Sequence, residues 1–232
     1  MPRCLFLVVV LLASSKGAVS QNGNFSNTLE VQFEQLAKTI LGSVYEDGDI
    51  LYFQSRMKQG GGEHNDALQL ALAAIKANPR KAAYRLQLAS VLSDELTNAG
   101  FFKKISLAKQ VRMQLDTALK LEPNNPDCLF GMMLYYERAP GMLGGSKQRA
   151  YQLAEQISRM DASKGYLAQA QLARLEGKSG ELEGLYLSAV KADPKSYDAV
   201  AALVGFYASE GQKKKYELVN RYARLLAPDR AH

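Results

Sequence analysis

Five amphipathic stretches of this chain end on the same short pattern, in which an apolar residue and a polar residue precede proline, or on a looser copy of it. The pattern occurs as Ala77-Asn78-Pro79, Leu121-Glu122-Pro123, Met160-Asp161-Ala162, Ala192-Asp193-Pro194 and Leu226-Ala227-Pro228. Counted on the last residue, the gaps are 44, 39, 32 and 34 residues. A period near 34 residues is typical of a solenoid of helix-turn-helix units, here with about ten and five extra residues in the second and third copies. Because such a unit cannot bury its apolar face alone, we expect function on the stacked surface.

The first twenty residues have the features of an export signal. Arg3 supplies the positive end, residues 5–13 form an apolar core of nine residues, and residues 18–20 are small, so we predict cleavage after Ser20. The core is shorter than the roughly 20 residues that span a bilayer, so we expect no transmembrane span in the mature chain. An uncleaved N-terminal anchor is the alternative. The rest of the chain is predicted to form a polar segment with a leading helix (21–47), a solenoid (48–228) and a short tail (229–232).

Apolar residues recur at helical spacing along the chain, and no segment shows sustained two-residue alternation, so the sequence predicts an all-α protein. Gly and Pro separate the helices. Pro126 suits a first helical turn and Ser146 suits an N-cap. The predicted helices cover approximately residues 48–59, 65–77, 81–98, 105–121, 126–139, 146–160, 164–176, 180–192, 196–210 and 213–226.

Charge and composition exclude several classes of function. Removing residues 1–20 lowers the net charge from +6 to +4, which is too weak to indicate nucleic-acid binding. Cys128 is then the only cysteine, so a disulfide-built module is excluded, and its apolar neighbours favour a buried side chain over a nucleophile. With only His64 and His232, the chain offers no adequate metal-ligand set and no Ser-His-Asp triad. We therefore expect no metal, no cofactor and no enzymatic activity.

The spacing of small and large residues within the copies resembles the tetratricopeptide repeat (TPR). In that pattern small residues stand where two helices cross, large residues fill the gaps between them, and proline ends the unit. The signature positions hold Leu51, Ser55, Gly62, Ala67, Ala74 and Pro79 in the first copy, Tyr166, Ala170, Gly177, Tyr186, Ala189 and Pro194 in the fourth, and Leu203, Tyr207, Gly211, Ala223 and Pro228 in the fifth. The resemblance implies a right-handed superhelical α-solenoid of about five helix pairs.

Two extra segments resemble exported bacterial TPR proteins more specifically. Residues 101–109 precede the second helix of the second copy, and residues 139–147 precede the second helix of the third. The resemblance implies an exported, non-enzymatic scaffold that is periplasmic, or secreted as the alternative, and that binds a protein or peptide partner in the cell envelope. The same segments are similar to subunits that accompany periplasmic tripartite transporters. A ligand-binding accessory subunit of a periplasmic solute transporter is therefore the alternative function.

Candidate contact residues follow from this architecture, in which the first helix of each pair lines the inner, concave face. Residues one turn apart on those helices combine aromatic, aliphatic and arginine side chains, which suit an extended peptide or a partner helix. They are Tyr52, Arg56, Leu86, Ser90, Asp94, Phe130, Leu134, Glu137, Arg138, Gln171 and Arg174. The alternative is that these side chains merely solvate the groove.

Phe101 and Phe102 lie in the first extra segment, outside the repeat pattern. Because a large ring left in water forgoes roughly 1.5–3 kcal/mol, the default expectation is that both rings pack back against neighbouring helices. Their position in a predicted loop beside Lys103 and Lys104 makes contact with a partner or with a membrane the alternative.

Overall fold

The computed structural model describes residues 47–226. Within that range the chain forms ten α-helices and one short 3-10 turn and contains no β-strand, as the sequence predicts. The export signal, the leading helix and the C-terminal tail predicted from the sequence lie outside the described residues. The helices are α1 (Asp47–Gly60), α2 (His64–Ala77), α3 (Ala82–Asn98), α4 (Phe101–Leu121), α5 (Pro126–Arg138), α6 (Lys147–Met160), α7 (Ala162–Leu175), α8 (Ser179–Ala192), α9 (Tyr197–Ser209) and α10 (Lys213–Leu226).

The helices form five antiparallel pairs that stack in chain order. Each helix packs against the next one along the chain. The first helices, which are α1, α3, α5, α7 and α9, also contact one another from each pair to the next. No comparable contact joins the second helices of neighbouring pairs between residues 47 and 226. The described chain is therefore an all-α solenoid, confirming the predicted class.

Small residues occupy the helix crossings, and large ones fill the space beside them. Ala67 and Ala74 of the first copy and Ala170 and Ala189 of the fourth are fully buried, as the signature positions predict. An alanine at a crossing lets two helix axes approach closely. The largest fully buried side chains lie between the helices and include Tyr84, Tyr186, Met133, Ile157 and Leu203.

Glycines in the left-handed region shape the short turns within three of the pairs. Gly62, Gly177 and Gly211 have φ values of +78°, +75° and +65°. These are signature positions of the first, fourth and fifth copies. Because only glycine adopts this backbone conformation without a steric cost, they fix where each first helix ends and its partner begins.

The extra residues of the second copy lengthen its helices. Helices α3 and α4 contain 17 and 21 residues, against 14 in each of α1 and α2. Helix α4 begins at Phe101, so the predicted loop before residue 105 is wrong, and the backbone N–H of Lys104 donates to the carbonyl of Gly100 at 2.9 Å. The physical reason is local, because residues 101–104 contain no helix breaker and Gly100 supplies the extended backbone that precedes a first turn.

The third copy carries its extra residues in the connection between α5 and α6. A 3-10 turn, Gly141–Leu143, lies in this segment and packs against α4. The hydroxyl of Tyr135 donates to the carbonyl of Leu143 at 2.7 Å, and the N–H of Ser146 donates to the carbonyl of Tyr136 at 2.8 Å. The hydroxyl of Ser146 then accepts from the N–H of Arg149, which confirms Ser146 as the N-cap of α6.

Cys128 is fully buried among Ala82 and Ala118, as expected for a small apolar residue. Burial first, and the nearby carboxylates of Glu122 and Asp127 second, raise the pKa of its thiol to about 11. Because the thiolate is the reactive form, we expect iodoacetamide at pH 8 to label Cys128 in the native protein at least roughly 100-fold more slowly than in urea. Peptide mapping by mass spectrometry measures this at Cys128 alone, and equal labelling rates would contradict the burial.

Candidate partner-binding surface

The exposed faces of α1, α3, α5 and α7 adjoin one another along one side of the solenoid, which we call the first-helix surface. Side-chain contacts between first helices cross it at several places. The amide of Gln59 on α1 donates to Ser90 and Asp94 on α3, at 2.9 and 2.6 Å. The ammonium of Lys164 on α7 pairs with Asp127 on α5. Neighbouring first helices therefore present one continuous polar and apolar surface.

At the start of this surface the structure brings together the residues that the sequence predicts on α1. Arg56 is exposed, and its guanidinium donates to the hydroxyl of Tyr52 at 3.4 Å and lies 5.7 Å from the centre of that ring. The ring of Tyr52 in turn stacks on Tyr84 of α3 at 5.7 Å. The buried Tyr84 thus supports a half-buried aromatic ring and an exposed cation at the edge of the surface.

Asp49 links the first two helix pairs beneath this edge. Its carboxylate accepts from the ammonium of Lys81 at 2.7 Å and from the hydroxyl of Tyr84 at 2.6 Å. Burial raises the pKa of Asp49, but these two hydrogen bonds and the charge of Lys81 outweigh it and hold the pKa below its usual value. The ionised carboxylate therefore stabilises the contact between α1 and α3.

The middle of the surface contains a hydrogen-bond network that sequence reasoning finds only in part. Ser90 and Asp94 were predicted there, whereas Gln59 and Gln87 were missed. The amide of Gln87 donates to Gln59 at 2.9 Å and to the buried Ser55 at 3.1 Å. Gln59 stands seven residues after Tyr52 and so on the same helix face, a signal in the sequence that could have found it.

On α5 the predicted residues divide between the surface and the interior. Phe130 and Leu134 are half-buried and pack at the rim of the core cluster between α5, α6 and α7. Arg138 is exposed and has no carboxylate partner among residues 47–226. Glu137 is different, because only 5 % of its side chain is exposed. It lies one turn beyond the buried Met133, so the structure does not place it on the surface with Arg138.

The carboxylate of Glu137 is poorly satisfied where it lies. Its Oε1 atom is 3.8 Å from the ammonium of Lys147, and its Oε2 atom has no hydrogen-bond partner in the described part of the chain. A buried carboxylate with one unpaired oxygen costs stability at the end of this core cluster.

The α7 end of the surface carries Gln171 and Arg174. Gln171 is half-buried on the same face as Lys164 and Leu167. The guanidinium of Arg174 donates to the hydroxyl of the buried Tyr186 at 2.6 Å and lies 5.8 Å from its ring centre. This contact orients Arg174 toward α8, so it offers less to a partner than Arg138 does. Leu86 of α3, the last predicted residue, is half-buried and packs against the core cluster between the first three helix pairs.

Metal-ligand groups and membrane-spanning helices can also be assessed between residues 47 and 226. No group of three His, Cys, Asp or Glu side chains there is placed to hold a metal ion. None of the ten helices combines the length and the apolar character that crossing a membrane requires.

Solved structures of other proteins show which known fold this helical stack has. No family model matches the sequence, and no curated protein matches it. Among solved structures, TTC0263, described as a thermophilic TPR protein in Thermus thermophilus, matches with a TM-score of 0.52 at 16 % identity, over 78 % of this chain and 92 % of that one. The chain has the TPR fold. A monomeric mutant of IFIT1 with Gppp-AAAA matches with a TM-score of 0.51 at 11 % identity, over 96 % of this chain and 55 % of that one.

The TPR fold explains why the first-helix surface is built as it is. In each repeat the second helix covers the apolar face of the first, so the opposite face of the first helix is left to face its neighbours and solvent. Between residues 47 and 226 that face carries Tyr52, Arg56, Phe130 and Leu134, together with the Gln59 network. The packing of the repeats sets where these exposed positions lie, whereas the side chains that occupy them are particular to this chain.

Proposed function

We propose that this protein is an exported, non-enzymatic scaffold that binds a protein or peptide of the cell envelope on its first-helix surface. The observation that carries the proposal is the row of adjoining first helices, whose exposed faces combine aromatic, aliphatic, amide and arginine side chains. Such a mixture suits an extended peptide or an amphipathic helix.

The pattern of helix contacts supports a concave shape for this surface. First helices of successive pairs contact each other, whereas second helices of the described pairs do not do so to a comparable degree. A stack whose helices lie closer together on one side curves toward that side. We infer that the first helices line the inside of the curve, where a partner would contact several repeats at once.

Arg138, Phe130 and Leu134 form the strongest contact group on this surface. The two apolar side chains are half-buried and held by the core cluster, so little conformational entropy is lost when a partner covers them. The guanidinium of Arg138 lies one turn from Leu134 without a carboxylate partner in the described chain. Arginine and aromatic residues dominate the binding energy of many interfaces, so a partner with an acidic residue beside an apolar one fits here.

The proposed export and envelope location rest on the sequence of residues 1–20, with its positive start, short apolar core and small residues at 18–20. Mass spectrometry of the protein purified from its host tests this step separately. We expect an N-terminus at Gln21, and a chain that begins at Met1 would contradict cleavage.

Capture of partners from an envelope extract tests the binding surface. We expect a specific partner to be recovered by the wild-type protein and its affinity to fall at least roughly tenfold in Arg138→Glu and in Phe130→Asp. Arg138 is exposed, so its replacement leaves the fold intact, and circular dichroism checks this for both variants. The matched control is Met113→Asp, because Met113 is 55 % exposed on α4, a second helix. Retained binding in both surface variants would contradict the assigned surface.

A further inference from the structure

A patch of exposed apolar side chains lies away from the first-helix surface. Phe101 and Phe102 in the first turn of α4 are 69 % and 85 % exposed, and Met142 in the 3-10 turn is 81 % exposed. The expected packing of the two rings against neighbouring helices is therefore wrong. The rings contact each other instead, edge to face, with centres 5.6 Å apart. We call Phe101, Phe102 and Met142 the turn-edge patch.

The topology places these three side chains on one edge of the solenoid. The start of α4 lies where the chain passes from a first helix to a second helix. The connection from α5 to α6 lies at the same kind of turn. In a stack of antiparallel pairs all such turns lie on the same edge. The 3-10 turn that carries Met142 packs against α4 near Arg112, whose Nη1 atom lies 3.4 Å from a Cβ built on Gly144. Arg112 is ten residues, roughly 15 Å of helix, beyond Phe102, so Met142 is a second apolar point on the same edge.

Basic side chains stand in the first turns of the two helices that begin on this edge. The first turns of α4 and α6 contain no acidic residue but contain Lys103, Lys104, Lys147 and Arg149. Cations near a helix N-terminus oppose the helix dipole, so their placement here is locally unfavourable for the helices. These basic residues make the turn edge positively charged.

Acidic groups near the patch leave part of this charge uncompensated. Glu95 pairs with Lys103 at 3.1 Å, and the buried Glu137 lies 3.8 Å from Lys147. Lys104 and Arg149 have no carboxylate partner in the described chain, and the guanidinium of Arg149 lies 5.5 Å from the ring centre of Tyr136. Asp116 is already paired with Arg112 at 2.9 Å.

We propose that the turn-edge patch docks the protein on the surface of a bilayer that contains anionic phospholipid. The apolar side chains would enter the interface between headgroups and acyl chains, while Lys104 and Arg149 would contact lipid phosphates. A bilayer requires no complementary pocket, which suits side chains that protrude from a helix end.

A protein partner fits the turn-edge patch less well. A Phe side chain buries roughly 150–250 Å² at most, so two rings and a methionine supply only several hundred Å² of contact. A stable protein interface needs about 1,000 Å² in total. The patch is therefore small for a protein partner, whereas lipid insertion adds the attraction between the surrounding cations and a charged surface.

Vesicle sedimentation tests this proposal with the protein in the form that its host accumulates. We expect at least roughly tenfold stronger partitioning onto vesicles of 70 % phosphatidylcholine and 30 % phosphatidylglycerol than onto pure phosphatidylcholine, and loss of this difference at high salt. The variant F101D/F102D should lower partitioning onto both vesicles at least tenfold. Aspartate in the first turn of α4 favours the helix dipole, so this variant is expected to fold.

One further variant isolates the electrostatic contribution to vesicle binding, and another serves as a control. The double variant K104E/R149E should abolish the preference for anionic vesicles while keeping the apolar side chains. The matched control is L218D/L225D, because Leu218 and Leu225 are 62 % and 79 % exposed on α10, far along the chain from the patch. Its partitioning should equal that of the wild type.

Equal partitioning of the wild type and F101D/F102D would overturn the proposal. So would an absence of vesicle binding combined with loss of a captured partner in F101D/F102D, because the patch would then be a protein contact. Phe130→Asp should not alter vesicle binding, because Phe130 lies on α5 about two turns before the turn edge. Failure of this proposal is therefore distinguishable from failure of the proposed function.

Discussion

Replacing Tyr186 with alanine should lower the free energy of unfolding by about 3–5 kcal/mol, the usual cost of truncating a buried aromatic side chain. Tyr186 is 2 % exposed, and its ring lies 5.5 Å from the ring of Phe206 on α9. Its hydroxyl accepts the hydrogen bond from Arg174 of α7. The side chain thus joins three helices from two neighbouring pairs, so its loss leaves a cavity where the fourth and fifth repeats meet. Urea denaturation followed by circular dichroism measures the change.

Two control substitutions separate the contribution of the ring to stability from that of its hydroxyl group and from the effect of any change in this part of α8. Tyr186→Phe keeps the ring and should cost only about 1 kcal/mol, the net contribution of one hydrogen bond. Leu187→Ala alters the next residue, which is 46 % exposed, and should change stability by well under the effect of Tyr186→Ala. Equal effects at positions 186 and 187 would contradict the packing of the fourth repeat.

Replacing Gly165 with alanine should destabilise the protein by about 1–3 kcal/mol, because the added methyl group overfills a close helix crossing. A Cβ atom at Gly165 would lie 2.3 Å from Oγ, 2.5 Å from Cα and 2.7 Å from Cβ of Ser158. Since the Cα of Ser158 belongs to the backbone of α6, relief requires α6 and α7 to move apart. The same substitution also displaces the hydroxyl that donates to the carbonyl of Ala154 at 2.9 Å.

Gly184 provides the matched control for Gly165, because it also lies inside a helix but has no atom within 4 Å of an added Cβ. Gly184→Ala should therefore raise stability, by about 0.5–1 kcal/mol, through the better helix propensity of alanine. Opposite signs at the two glycines are the expected result. A stabilising Gly165→Ala would show that α6 and α7 do not approach as closely as this packing requires.

Local signals in the sequence predicted most of the fold. Pro126 and Ser146 mark helix starts through their own backbone and side chain, and both positions are confirmed. Gly62, Gly177 and Gly211 mark turns because their conformation needs glycine. The start of α4 was missed because residues 101–104 show no apolar period, although nothing in them prevents a helix.

The surface was harder to predict because it depends on neighbours in space. Glu137 follows Leu134 and Phe130 in sequence, but its burial is decided by α6 and the core cluster around Met133. The contacts of Gln59 with Ser90 and Asp94 depend on how α1 and α3 stack. Phe101 and Phe102 were expected to be buried because burial of rings is the general tendency, and the sequence holds no local sign that α4 carries them into solvent.

Hydrogen–deuterium exchange of the protein, alone and with its captured envelope partner, tests the central claim most directly. The account predicts that the partner slows exchange in α1, α3, α5 and α7 and leaves α2, α4 and α6 unchanged, because the partner lies along the first-helix surface. Slower exchange confined to the second helices, with none in α3 and α5, would contradict it.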